Sequence, residues 1–318
     1  MRLNFIGKIK IKLPRHKKTK VSPKDIASAE PIEVENYDDL VTKISEIAFD
    51  NPHLNLYFRG QDKDHKNKKG QSSLLSQFYR RGSYTLPNKS QIDLSDKKKR
   101  KNYLENILPI LADRFIDKLK KDKSLGIDRH QIKFIARFDE SKWAILQHYG
   151  YPTPLLDVTK SIRVAASFAT KNYKLDPPEA CFNGGPGFVY LLGFPETHGY
   201  ISYFTYEAIV ITSLLGTCPP QAKRPHFQDG YLVGTIPHET SVITDFNNCL
   251  VAKFKIDKPK DFWSNNSQPM DISEIYPEAK VDRIKGIADS MKDDFRTLCG
   301  DLIPQEKKLP LSKRGLDA

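Results

Sequence analysis

The run WAILQHYGYPTPLLDVTKSIRVAASFAT, residues 143–170, constrains the fold more than any other stretch of this chain. An apolar helical pattern, SKWAILQHY, should stop at Gly150 and Pro152, because proline has no N–H to donate and its ring clashes with the preceding turn. Pro152 and Pro154 then fix the backbone on both sides of Thr153, leaving this connection few conformations. Asp157 follows a leucine pair that reads as buried, so its carboxylate must be paired or hydrogen-bonded. Thr159 and Ser161 lie at the mouth of a further helix, IRVAASFATKNY. Either one caps it, which is worth about 1 kcal/mol, or both present its free N–H groups and dipole to an anion. Small polar groups held between rigid apolar elements are the makings of a preorganised pocket.

The surrounding chain is that of a folded protein. It has 318 residues, 39% hydrophobic and 28% charged, enough for a sizeable core in one large domain or two smaller ones. No stretch approaches the roughly 18 apolar residues of a membrane span, and the first twenty residues lack the apolar core of a secretory signal. Cys181, Cys218, Cys249 and Cys299 are scattered without a CxxC pair, and the eight histidines without an HxH or HxxxH. No metal site and no compact disulfide framework are expected, and a reducing cytoplasm is the simplest location. Most of the net charge of +12 sits in residues 1–25, where nine lysines and arginines face Asp25 alone. We read this stretch as a basic N-terminal tail, able to bind nucleic acid or another anionic partner through counterion release, or to act as a solubilising arm. The alternation in KIKIKL also suits an edge strand guarded by its lysines.

Residues 26–318 read as a single domain. Leu40, Val41, Ile44, Ile47 and Ala48 share one face of a helix that Asn36 can cap. NLYFRGQ is a short apolar strand. Residues 62–101 form a lysine-rich insertion ending in KKKRK, with SLLSQFYRRG as an island able to pack back on the core. Leu104, Ile107, Leu108, Leu111, Phe115 and Leu119 mark an amphipathic helix. GFVYLLGF, GYLVGT and CLVAKFKI have strand composition, and IKGIADSMKDDFRTLCG is a closing helix stopped by Gly300. Helices thus gather in the first half and strands in the second, the pattern of an α+β fold with a helical N-terminal half on a mostly antiparallel sheet.

Arg59 ends the strand of YFRGQ, where a guanidinium suits planar bidentate recognition of phosphate or carboxylate; Asp157 is its alternative, structural partner. Gly60 beside it permits a turn or close approach, and Gln61 completes the motif. His148, next to Gln147, is either a general base titrating near neutrality or a hydrogen-bonded structural histidine. Tyr149 and Tyr151 can stack a base or simply pack.

YFRGQ, LQHYGYPTPLLDVT and VAASFA, in that order, resemble the FRG domain family, which is named for its Phe-Arg-Gly motif and has a core close to QHxGxPTRLLDWT. RPHFQDGYLVGT is similar to a later Arg-then-Gln-x-Gly segment of that family, giving Arg224, Gln228 and Gly230, and IYPEAKVDRIKGIA resembles its closing segment. Pro154 stands where the family has arginine and Val158 where it has tryptophan, so one possible phosphate or carboxylate clamp is missing. The chain also resembles ADP-ribosyltransferases of the Arg–Ser–Glu type, which implies an ADP-ribosyltransferase-like sheet and NAD as substrate. By that resemblance Arg59 would hold the pyrophosphate and Thr159 or Ser161 would brace the nicotinamide side. Gln228 would take the third position, with Glu239, and after it Glu207, as alternatives because glutamine carries no negative charge. Gln147, His148, Thr153, Asp157 and Arg224 would bind the ligand. The activity implied is NAD-consuming ADP-ribosyl transfer or hydrolysis, as in a bacterial toxin or anti-phage defence effector. The alternative is a non-catalytic module sensing a nucleotide or nucleic acid.

Overall fold

In the computed structural model, residues 6–14, 20–80, 83–85, 91–94, 96–175, 178–236, 244–264 and 267–302 are described. Eight strands make one sheet: β1 (Ile32–Val34), β2 (Asn55–Gln61), β3 (Leu156–Thr159), β4 (Gly187–Phe194), β5 (Ile201–Phe204), β6 (Ile209–Ser213), β7 (Gly230–Thr235) and β8 (Leu250–Ile256). Their spatial order is β5-β6-β7-β3-β2-β4-β8-β1. Every neighbouring pair is antiparallel except β8 with β1. The fold is therefore α+β with a large, mostly antiparallel sheet. The four apolar runs read as strands all lie in it, three of them in its central part, buried on both faces or nearly so.

Strand pairing is uneven, and the unevenness positions everything that follows. β2 and β4 are paired along their whole length, from Phe188 opposite Gln61 to Phe194 opposite Asn55. β2 and β3 meet at one residue pair only, Phe58 with Thr159. Past that pair the two strands separate, and the ladder hydrogen bonds of Arg59, Gly60, Asp157 and Val158 toward one another are not made.

Helix α1 (Tyr37–Asp50) is capped by the Asn36 side chain, which accepts from the Asp39 N–H. A helical lobe of residues 97–148 packs at the other side of the sheet around its own apolar cluster. It begins with KKKRK, which is helical rather than a solvated loop. Asp96 caps Lys97–Asn102, and Arg100 folds inward to donate to the Leu94 carbonyl at 2.9 Å. The helical course continues through a π-turn, Tyr103–Ile107, into α2 (Leu108–Lys121). Pro109 follows that turn directly; a residue without an N–H cannot continue the regular ladder, and the π-turn absorbs the defect. After α3 (Arg129–Arg137), α4 (Asp139–His148) runs through the middle of the lobe and is buried on nearly all sides. It stops where the sequence indicates, with Gly150 at φ +93°.

Two expectations need correction, and a third is met. The basic N-terminal stretch is partly core: Ile9–Lys10 pairs with Lys20–Val21, and the alternation turns Ile9, Ile11 and Leu13 inward and Lys8, Lys10 and Lys12 outward. The insertion is anchored through the SLLSQFYRRG island, which packs on the core as expected, with Leu74, Phe78 and Tyr79 buried; beside it the Ser72 hydroxyl accepts from the buried Lys253 of β8 at 2.8 Å. The closing helix is two helices, Arg283–Asp289 and Lys292–Leu298. The break falls at Ser290, whose hydroxyl donates to the Ile287 carbonyl, and it lets Met291 and Phe295 return to the helical cluster. Among the described residues, no helix is long and apolar enough to cross a membrane.

Helix α5 (Ile162–Thr170) lies flat on β2 and β4. Its inner face is Ala165, Ala166 and Ala169, all fully buried. The approach is closer than any side chain on the sheet allows: a Cβ on Gly60 would fall 1.8 Å from the Ala165 carbonyl oxygen, and one on Gly187 2.1 Å from that of Ala169. Gly60→Ala should therefore push α5 off the sheet at a cost of about 3 kcal/mol, the upper end for overpacking, measured as a lower urea midpoint with unchanged slope.

Candidate functional site

Where β2 and β3 part, a cavity of about 290 Å³ opens between the sheet, the end of α4 and the start of α5. The parting is held by Arg59, whose Nη1 donates to the Asp157 carbonyl at 2.6 Å, a side chain doing what the missing ladder does elsewhere. Its guanidinium thus meets the backbone of Asp157 and not its carboxylate. Arg59 Nε is buried and has no partner among the described residues. Burial lowers the Arg59 pKa to about 10, Asp157 partly offsets this, and the nearby Arg80 charge adds to it.

The proline loop forms the opposite wall. Gln147 Nε2 donates to the Leu155 carbonyl at 2.9 Å and to the exposed Asp157 carboxylate at 2.8 Å, while its Oε1 accepts from the Thr153 hydroxyl. One glutamine therefore locks the turn and aims the carboxylate. Tyr103 donates to the Pro152 carbonyl at 3.0 Å and Tyr151 to that of Ala288 at 2.5 Å, so the loop is tied both to the helical lobe and to the helix Arg283–Asp289. Tyr151 and Tyr149 are structural.

Thr159 and Ser161 are bound up with the helix entrance. Thr159 donates its hydroxyl proton to the Gln228 carbonyl at 2.8 Å and accepts from the Ser161 N–H at 3.0 Å; Ser161 accepts from the Val164 N–H as the cap of α5. Thr159 faces the cavity and Ser161 does not. Gln228 also lines it, but its amide donates to the Ile275 carbonyl at 2.6 Å and so holds the segment carrying Tyr276.

His148 is 4% exposed, faces the cavity and leaves Nε2 without a partner among the described residues. Burial, then the Arg224 charge, push its pKa well below the ordinary histidine value. It is a neutral imidazole at neutral pH, with its unpartnered nitrogen buried. Arg224 stacks on the Tyr276 ring, 4.4 Å from its centroid, and its buried Nε is also unpartnered among the described residues.

Of the residues singled out in the sequence, Arg59, Gly60, Gln147, His148, Thr153, Asp157, Thr159, Arg224 and Gln228 surround this one cavity. Gln61 instead lines a second cavity on the far side of Arg59. Glu207 lies in the turn between β5 and β6, remote from both cavities, and Glu239 lies outside the described residues. Among the described residues no glutamate lines either cavity; Asp157 is the carboxylate of the first.

Two contributors are missing from the sequence reading. Tyr276 supplies the aromatic face under Arg224. Asp282, fully buried, accepts from the Tyr149 hydroxyl at 2.7 and 2.9 Å and from the Arg224 N–H at 2.8 Å, and caps the helix Arg283–Asp289. An aspartate one residue before a helical pattern is a readable cap signal; its reach across to Arg224 is not.

Residues 54–176, which include β2, the helical lobe, the proline loop and α5, match the family model of the FRG domain. No curated protein and no solved structure matches the chain. Residues 54–176 carry an FRG domain, and the cavity lies largely within it, closed by Leu214, Arg224, Gln228, Gly230, Tyr231 and Tyr276 from beyond the matched stretch.

Asp282→Ala should cost roughly 3 kcal/mol, because it strands a buried hydroxyl and a backbone N–H that now bond to a charged group; Tyr149→Phe should cost about half as much. Chemical denaturation of both variants checks the ratio. His148 resists protonation in the folded protein, so acid favours the unfolded chain: stability from this group is present above about pH 6.5 and is lost as pH falls below that unfolded-state value. The pH dependence of unfolding should accordingly flatten over that interval in His148→Asn.

Proposed function

We propose that the cavity binds a nucleotide, and that the nucleotide is NAD, cleaved at its nicotinamide–ribose bond by hydrolysis or by transfer of ADP-ribose. The observation that carries the reading is the convergence, at one strand parting, of a half-satisfied buried arginine, an aimed carboxylate and an aromatic–guanidinium stack. Arg59 supplies a planar donor fork for a phosphate. Tyr231, Phe168 and the Tyr276–Arg224 pair supply flat apolar faces for a ring. Asp157, rather than Gln228 or Glu239, is then the group that meets the ribose.

The chemistry balances as follows. The bond between ribose C1′ and the pyridinium nitrogen breaks, and its electron pair neutralises the nicotinamide ring. The sugar is left as an oxocarbenium-like cation, which the Asp157 carboxylate stabilises. Water or an acceptor nucleophile then attacks C1′ and loses a proton to solvent. A preorganised charge of this kind is worth about 10²–10³ in rate. The neutral His148 Nε2 is placed to hydrogen-bond the ligand without adding a cation that would oppose the developing charge.

A second reading is supported by the commitment of Ser161 and Gln228 to structural bonds, which leaves fewer groups free for catalysis. On that reading the same cavity senses a nucleotide without turning it over.

The test is NAD consumption by the purified protein beside Asp157→Asn, both checked for folding by circular dichroism. Asparagine keeps the bond to Gln147 but not the charge, so turnover should fall about 10²–10³-fold with little change in melting. Absence of turnover in the wild-type protein, with nucleotide binding retained, would establish the sensor reading instead.

A further inference from the structure

Behind Arg59 lies the second cavity, about 340 Å³, which shares Arg59, Gly60, Phe168 and Tyr276 with the first. Its walls carry Arg59, Arg80 and Lys171 against a single carboxylate, Asp62. We propose that this cavity is a diphosphate subsite in which Arg80, Lys171, Gln61 and His65 act together with Arg59. It rests on the nucleotide reading for the rest of its ligand.

Three observations support it. First, the donors are present and idle. Arg80 Nη2, Arg59 Nε and Gln61 Nε2 are buried donors without a partner among the described residues, and Gln61 is only 7% exposed. Buried polar groups are ordinarily satisfied, and leaving each one bare costs about 1–3 kcal/mol. A set of them on one cavity wall is explained by an acceptor that arrives from outside.

Second, like charges are gathered here. Burial lowers the pKa of Arg59, Arg80 and His65 alike; the Arg80 charge adds to this at Arg59 and His65, while Asp157 offsets it at both arginines. Among the described residues, Arg80 is tethered through Nε, which donates to the Leu75 carbonyl at 3.3 Å. An anion between these groups relieves the repulsion and accepts bidentate bonds from planar forks. Two phosphates match this wall better than one carboxylate, since three cations surround the space.

Third, the position fits. Gly60 has no side chain to divide the cavities, and Arg59 stands on their common border. A ligand with its ring on the Tyr276 side of the first cavity would carry its phosphates past Arg59 into the second.

The experiment is calorimetric titration of the full chain and of Arg80→Gln and Lys171→Gln, with inorganic pyrophosphate, ADP-ribose and nicotinamide riboside as separate probes. Each lost charge-assisted contact should weaken pyrophosphate and ADP-ribose about tenfold, while nicotinamide riboside, which has no phosphate, is unaffected. Lys171 lies at the rim, so its variant reports even if Arg80→Gln fails to fold. Pyrophosphate that binds through Arg80 and Lys171, with no binding of ADP-ribose or NAD, would uphold the subsite and overturn the nucleotide reading. ADP-ribose bound equally well by wild type and Lys171→Gln, or no binding of pyrophosphate at all, would overturn the subsite.

Discussion

The structure turns on the separation of β2 from β3 after the Phe58–Thr159 pair. A continuous ladder there would satisfy the backbone and leave no room for anything else. Because the ladder stops, backbone polar groups at the centre of a sheet face an opening, and such groups are costly unless something bonds them. Arg59 answers by bonding the Asp157 carbonyl, and in doing so comes to rest at the junction of two cavities. The same interaction closes the sheet and opens the site.

What keeps the strands apart is rigidity on either side. Against β2 and β4, α5 is seated so closely that only glycine fits at positions 60 and 187. Against β3, the proline loop is fastened by Gln147 and Tyr103 to the helical lobe and by Tyr151 to the helix Arg283–Asp289. Asp282 extends that fastening to Arg224 and Tyr149, joining the C-terminal segment to the wall of the cavity. The polar groups are therefore held by the two apolar clusters and by one another, the condition under which electrostatic preorganisation is effective. The departures at Pro154 and Val158 fall on this loop. Both residues are buried here, so the loop serves as a packed wall rather than as a source of charge.

Much of the fold is legible because period and chain-breaking are local. The alternation of KIKIKL turns three apolar side chains inward whatever they pack against, and Pro109, Gly150 and Pro152 act on their own helices. Misreadings arise where lysine density is taken for solvation. KKKRK is helical because Asp96 caps it and Arg100 finds a carbonyl inside the lobe, and neither partner follows from charge alone. Nine of the residues proposed as a site do surround one cavity, since motifs rich in small polar groups are unlikely to serve a core. Their individual roles were less visible. Ser161 turns out to be a cap, and Gln228 a brace for the segment bearing Tyr276.

The sequence by itself determined where the helix before the proline loop stops, which strand faces are apolar, that Gly60 permits a close approach, and that Asp157 required a partner. These depend on steric and desolvation rules that act within a few residues. Only the tertiary structure decided which partners Arg59 and Asp157 take. It sent Arg59 to a carbonyl rather than a carboxylate, tied Asp157 to Gln147, and stacked Arg224 on Tyr276 some fifty residues away along the chain. It also brought Arg80 and Lys171 to the same wall from separate segments. Such choices depend on the order of strands and on the one pair at which β2 and β3 meet, and no local rule of sequence fixes either.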